Sequence, residues 1–185
     1  IGYTALYSNT TGTNNVAVGR SALQNNTTGV SNTGVGHQAL FTNSTGSNNV
    51  AVGQGSLYFN TASFNTSVGI SALQSNTTAS QNTAVGYQAA FANTFGTGLV
   101  AVGYQALDSN TTGSSNTAVG SSSLQANTIG ARNTAVGLQS LFSTTTGVEN
   151  QAFGYQSLYS NTTGVNNTAV GLYAGLSNTS GSYNT

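Results

Sequence analysis

The chain has 185 residues, of which two are Lys or Arg and two are Asp or Glu. With a net charge of +0, electrostatic attraction to nucleic acid or to an anionic membrane surface is excluded as a driving force. Cysteine is absent, which excludes disulfides and thiolate metal sites, and no apolar run is long enough to span a membrane.

A 17-residue phrase is repeated eleven times along the chain. A glycine holds the second position of every copy, and the spacing between these glycines is constant except for the step from Gly53 to Gly69, which is one residue shorter. A fixed short period predicts an all-β parallel β-solenoid in which each copy forms one rung. We expect a single repeat domain over 1–185, a segment of a longer fibre protein, with copies beginning at residues 1, 18, 35, 52, 68, 85, 102, 119, 136, 153 and 170.

Two apolar columns predict the core. Position 1 of the copy is Val in nine copies, and position 6 is Leu in nine. Because these positions are five apart, a straight strand would aim them at opposite faces. Either the position-2 glycine bends the strand and both columns fill the interior, or one column fills it and the other packs against neighbouring chains; we favour the second. The predicted core columns are Val18, Val35, Val52, Val68, Val85, Val102, Val119, Val136 and Val170, with Leu6, Leu23, Leu40, Leu57, Leu73, Leu107, Leu124, Leu141 and Leu158.

Two asparagine columns predict hydrogen-bonded ladders at the corners of each rung, because stacked Asn side chains can bond one another along the axis. The glycine at position 12 is expected to supply a positive φ beside the first ladder. The first column, at position 9, is Asn9, Asn26, Asn43, Asn60, Asn76, Asn93, Asn110, Asn127, Asn161 and Asn178. The second column, at position 15, is Asn15, Asn32, Asn49, Asn65, Asn82, Asn116, Asn133, Asn150, Asn167 and Asn184.

Between the corners, the stretch from Asn82 to Ala90 is predicted to be a β-strand, and a second, shorter strand is expected through the Asn-Thr-Thr segment. Helix is disfavoured, because two glycines and several β-branched residues in each copy oppose it. Positions 3, 7, 13 and 14 vary most and are expected on the outside. The aromatic side chains at position 7 are candidate exposed contact residues: Tyr7, Phe41, Tyr58, Phe91, Phe142 and Tyr159.

The phrases Asn82-Thr-Ala-Val-Gly-Tyr-Gln-Ala and Asn116-Thr-Ala-Val-Gly resemble the head repeats of trimeric autotransporter adhesins, the YadA-like family. Similar arrays occur in long tail-fibre-like surface proteins of bacteria and phages. The resemblance implies a left-handed parallel β-roll, three chains side by side, and display outside the cell for attachment. The repeats of that family are shorter than those of this chain. The resemblance therefore predicts the β-roll more directly than it predicts the geometry of a trimer.

Catalysis is not expected. Glycoside-type chemistry needs two carboxyl groups roughly 5–10 Å apart, whereas Asp108 and Glu149 fall two rungs apart at different positions of the copy. His37 is several rungs from Asp108, so no Ser-His-Asp arrangement is predicted. No metal site or cofactor is expected either.

The composition and the repeat together favour a non-catalytic extracellular fibre or adhesin segment, at a cell surface or on a virion, that gives reach, rigidity and attachment. Its expected partners are further copies of itself, as a homotrimer or a head-to-tail filament, and host or surface macromolecules, but not nucleic acid or the membrane interior. One alternative is a structural filament without a receptor. A lesser alternative is an ice-binding solenoid, since a flat array of threonines can order water and position 10 is Thr in ten copies.

Overall fold

A computed structural model describes residues 1–185 as a stack of rungs, with one three-residue strand wherever one copy of the repeat passes into the next. The ten strands form a single parallel sheet whose order follows the chain, and each strand pairs with the next in register, for example Ala84 with Ala101. The predicted all-β solenoid is therefore confirmed. The strands are β1 (Val16–Val18), β2 (Thr33–Val35), β3 (Val50–Val52), β4 (Thr66–Val68), β5 (Thr83–Val85), β6 (Val100–Val102), β7 (Thr117–Val119), β8 (Thr134–Val136), β9 (Gln151–Phe153) and β10 (Thr168–Val170).

The strands are shorter than the sequence predicts. The stretch from Asn82 to Ala90 contributes only Thr83–Val85 to the sheet, because Gln88 and Ala90 have φ values of 52° and 50° that no β-strand accommodates. The second strand predicted through the Asn-Thr-Thr segment is wrong; that segment forms bends. Only 18 of the 122 backbone hydrogen bonds lie within strands, so most of the pairing between rungs is made by turns.

The interior of the coil is lined by small and aliphatic side chains. The middle residue of each strand points inward, as Ala84 and Ala101 do at 0% exposure, and the position-6 side chains of the second to tenth copies, all leucine except Ala90, fill the space opposite. Of the two arrangements considered, the structure has the favoured one for the single chain: the leucine column fills the interior, whereas the valines, which were predicted with it as core columns, lie on the outside. The valines flank the inward alanine and therefore point outward, with exposures such as 37% for Val85 and 41% for Val18.

Both predicted asparagine columns lie inside the coil and bond along its axis. In the first, Asn110 Nδ2 donates to Asn93 Oδ1 at 2.9 Å and to the Gly113 carbonyl at 3.0 Å, which ties a rung to its neighbour and closes its own corner. The first ladder breaks at Thr144, which carries no amide to donate. The Oδ1 of Asn127 in the preceding rung is consequently buried without a hydrogen-bond partner.

The second ladder uses the backbone as well. Asn150 Oδ1 accepts from the backbone N–H of Asn167 at 3.1 Å and from its Nδ2 at 3.0 Å, while Asn150 Nδ2 donates to the Gly164 carbonyl at 2.7 Å. Leu99 stands in this column and donates its backbone N–H to Asn82 Oδ1 at 3.0 Å. The side chain of each asparagine therefore satisfies backbone groups that the turns leave unpaired.

The two glycine columns serve different purposes. Gly120, at position 2, has a φ of 133°, and a Cβ there would lie 2.5 Å from the Gly137 carbonyl oxygen. The expectation that position 12 supplies the positive φ is wrong, since Gly147 and its equivalents lie outside the positive-φ region. Glycine is required there by close approach alone, because a Cβ on Gly147 would lie 2.7 Å from the Gly164 carbonyl oxygen.

Candidate functional site

The outer surface of the sheet is the most regular surface of the chain. It consists of the first and third residues of each strand, which we call the strand face. Six strands present Thr and Val, as Thr83 and Val85 do, three present two valines, and β9 presents Gln151 and Phe153. No charged residue lies on this face.

The strand-face threonines keep their hydroxyl groups free. None of them makes a side-chain hydrogen bond within the chain, although their backbone groups are paired in the sheet; they are Thr33, Thr66, Thr83, Thr117, Thr134 and Thr168. β-Branched side chains are stiff at χ1, so their methyl and hydroxyl groups hold fixed positions. The strand face is therefore a rigid array with unused hydrogen-bonding capacity.

The threonines of the Asn-Thr-Thr segment are different. At position 10, Thr94 Oγ1 donates to the Thr111 carbonyl oxygen and Thr111 Oγ1 to that of Thr128, both at 3.0 Å. The same bond recurs along the stack. These hydroxyl protons are already committed to the inter-rung bonding, so the column that suggested ice binding in the sequence does not present free donors.

A second outer surface, which we call the turn face, carries aromatic and amide side chains at positions 3, 4 and 7. Tyr87 and Tyr104 stack at position 3 with ring centroids 5.4 Å apart and exposures of 43% and 53%. Gln105, at position 4, donates to Gln88 Oε1 at 2.9 Å and accepts from Gln125, at position 7, at 3.2 Å. Tyr155, at position 3, also meets Tyr173, at position 4, with ring centroids 5.3 Å apart, so the three positions form one continuous surface.

The predicted contact aromatics lie on the turn face, but five of the six are half-buried rather than exposed. Only Tyr7 is exposed, at 77%. The others include two pairs held by stacking between neighbouring rungs: Phe41 on Tyr58 and Phe142 on Tyr159, each with ring centroids 5.0 Å apart. Most of the large exposed side chains of this surface stand instead at position 3, which is polar in the other four copies; they are Tyr3, Ile70, Tyr87, Tyr104, Leu138, Tyr155 and Leu172.

The few charged groups do not converge. Glu149 pairs with Arg132 on the rung before it at 2.7 Å, on the exposed surface. Asp108 lies alone on the turn face, where burial raises the pKa of its carboxyl group and its Oδ1 has no hydrogen-bond partner. No three His, Asp or Glu side chains gather into a metal-binding group.

A cavity of about 430 Å³ opens at the last rung, where Gly175 occupies the leucine column above Leu158. It is lined mainly by residues of the asparagine ladders and of the apolar columns, and no charged side chain lies in the lining. No helix in the structure is both long and apolar enough to cross a bilayer.

The geometry thus offers two surfaces for contact, a regular strand face and a variable turn face. Comparison with known proteins gave no match to any protein family, curated protein or solved structure.

Proposed function

We propose that this chain is a non-catalytic segment of an extracellular fibre, which provides reach and rigidity and attaches through its turn face. The observation that carries the proposal is the continuous axial bonding of the rungs. Successive rungs are joined by the sheet and by two asparagine ladders, one interrupted at Thr144 and the other at Leu99, and ten strands at about 4.8 Å each extend over roughly 45 Å.

Rigidity follows from the way the hydrogen bonds run. In a parallel solenoid the hydrogen bonds between rungs run along the fibre axis, so extension or bending of the fibre must strain many of these bonds at once. The ladder bonds are buried at 0% exposure in the central rungs, for example at Asn93 and Asn110, where water does not compete for them. Such a rung stack is suited to a spacer that holds its length.

The turn face is the surface that we assign to attachment and to association with further copies. Large apolar side chains exposed together commonly mark interaction sites, and the position-3 column brings Ile70, Tyr87 and Tyr104 together on successive rungs. Tyrosine provides both apolar area and a hydroxyl group, which suits contacts with varied partners. We propose side-by-side association of three chains through this face, as the resemblance to trimeric adhesin heads implies.

Sedimentation equilibrium at two protein concentrations tests the association. The measured mass is expected to be three times the 18.5 kDa of one chain at both concentrations. A mass that rises without limit would favour the filament alternative, and a mass of one chain at both would contradict association.

A matched pair of variants localises the contact. Tyr87→Ser and Tyr104→Ser introduce the residue that Ser121 already places at this position, so the fold should be retained. They are expected to lower the sedimentation mass and to reduce adhesion to an apolar polystyrene surface at least fivefold. Thr78→Ser and Thr112→Ser, on the exposed position-11 column, serve as controls and should leave both readings unchanged.

A further inference from the structure

The strand face has a two-dimensional repeat that no other surface of the chain shares. Along the axis its side chains recur at about 4.8 Å, and across each strand the two outward residues are about 6.6 Å apart. The pairing is in register from β1 to β8, with Thr66 beside Thr83 and Val68 beside Val85. Hydroxyl and methyl groups are therefore arranged on a nearly rectangular lattice.

We propose that the strand face from β1 to β8 is a binding site for ice. Ice is a ligand that is itself a periodic array of hydrogen-bonding water molecules, so a periodic protein surface can engage it at many points at once. The free hydroxyls of Thr33, Thr66, Thr83, Thr117 and Thr134 join bound water, and the intervening methyl groups hold the neighbouring water molecules in ordered positions. This inference goes beyond the proposed attachment through the turn face and uses a different surface.

The chemistry of the face favours water over a protein partner. A dry protein interface would bury each unpaired hydroxyl unfavourably unless the partner supplied a hydrogen-bonding group opposite every threonine. The face also has no charged group to keep a disordered hydration shell around it. Uniform, shallow side chains fit a flat crystal plane better than they fit the irregular surface of a folded partner.

The other threonine columns do not offer the same site. Position 10 has committed its hydroxyl protons to the rung above. Position 11 is exposed and its threonines are free, but Phe95 and Ile129 project from it with exposures of 59% and 55%, and it belongs to no sheet. Position 11 is therefore the appropriate control surface.

The lattice ends at β9, where Gln151 and Phe153 replace Thr and Val. These longer side chains stand above the plane and separate β10 from the first eight strands. Repairing β9 with Gln151→Thr and Phe153→Val should extend the site to ten strands. The repaired chain is expected to bind ice more strongly than the natural one.

The test is thermal hysteresis together with inhibition of ice recrystallisation, measured on the whole chain. We expect activity for the natural chain, a loss of at least tenfold for Thr83→Tyr with Thr117→Tyr, and a gain of about twofold for the β9 repair. Thr78→Tyr with Thr112→Tyr, on position 11, should keep full activity. If the tyrosine variants do not fold, Thr83→Val with Thr117→Val removes only the hydroxyls and uses the residue that Val50 and Val100 already place there.

Absence of activity in the natural chain would overturn the inference, and so would equal losses on the strand face and on position 11. A strand-face variant that lowers the sedimentation mass, in a chain without ice activity, would identify the face as a contact between copies and also overturn it. The first two results leave the turn-face association untouched, because the Tyr87 and Tyr104 variants test it separately; the third would place a contact between copies on the strand face.

Discussion

The interior and the exterior of this coil are built from the same rung but tolerate change very differently. Inside, Asn93, Asn110 and Leu107 are fully buried, and each is repeated with few exceptions through the stack. Outside, position 3 carries Tyr, Arg, His, Gln, Ile, Ser and Leu in turn. The comparison indicates that the period is maintained by the inward groups, and that outward groups are free to vary wherever they do not meet another rung.

The position-2 glycines should be the least tolerant positions. Gly120→Ala places a Cβ 2.5 Å from the Gly137 carbonyl oxygen at a φ of 133°, which only glycine adopts readily. We expect the free energy of unfolding, measured by urea denaturation, to fall by at least about 4 kcal/mol. Gly98→Ala is the control, because Gly98 has a φ of 65° with its nearest neighbour 3.8 Å away, and should cost only about 1–2 kcal/mol. Equal costs at both sites would refute the close-approach argument.

The asparagine ladder should be the next most sensitive feature. Asn110→Ala removes the bonds to Asn93 and Gly113 and takes away one of the two acceptors of Asn127 Nδ2, so the free energy of unfolding should fall by about 3 kcal/mol. Asn110→Thr imitates the residue found at Thr144 and should cost about half as much. If the alanine variant unfolds like the natural chain, the ladder is not a source of stability.

The natural break in that ladder provides the converse experiment. Thr144→Asn supplies an amide to the unpartnered Oδ1 of Asn127 and an acceptor to Asn161, which now reaches Thr144 Oγ1 only at 3.5 Å. We expect a gain of about 1–2 kcal/mol in the free energy of unfolding. A loss would mean that the rung at Thr144 has relaxed around the smaller side chain.

How far the sequence predicts this fold can be judged at particular positions. The period, the leucine column and the asparagine columns follow from the spacing alone. The course of the backbone around each rung does not follow from the spacing, because positions 4, 6 and 14 adopt a positive φ with residues other than glycine. Gln105 and Leu107, for example, have φ values of 52° and 53°. Such conformations oppose the local propensity of these residues and are maintained by contacts with the neighbouring rungs. The sequence of a single copy does not reveal those contacts.

One sequence signal for that path does exist. Three glycines interrupt columns of the turns, since Gly55, Gly98 and Gly175 fall at positions 4, 14 and 6, and all three have a positive φ between 63° and 65°. A sporadic glycine in a turn column therefore indicates a left-handed residue throughout that column. The outward direction of the valines could not be inferred this way, because it depends on where those turns end the strand.

Asp108 should give a smaller, pH-dependent effect on the outer surface. Burial raises its pKa in the folded chain above the ordinary value of 3.8, so the folded state holds the proton more tightly than the unfolded state. Its contribution is therefore most favourable at low pH and is lost as pH rises from that value through the raised pKa. Asp108→Asn should remove this pH dependence from the free energy of unfolding and should stabilise the chain slightly at pH 7. A profile identical to that of the natural chain would contradict the assignment.

The central claim is that equivalent residues of successive copies lie one rung apart in space. The chain has no cysteine, so nitroxide labels can be attached to cysteines introduced in pairs on the exposed position-11 column. Label pairs that combine Thr28 with Thr112, with Ile129 or with Thr146 span five, six and seven rungs. Pulsed electron–electron double resonance should give distances that increase by about 4.8 Å with each rung. Distances that fail to increase in equal steps would contradict the stacked-rung account.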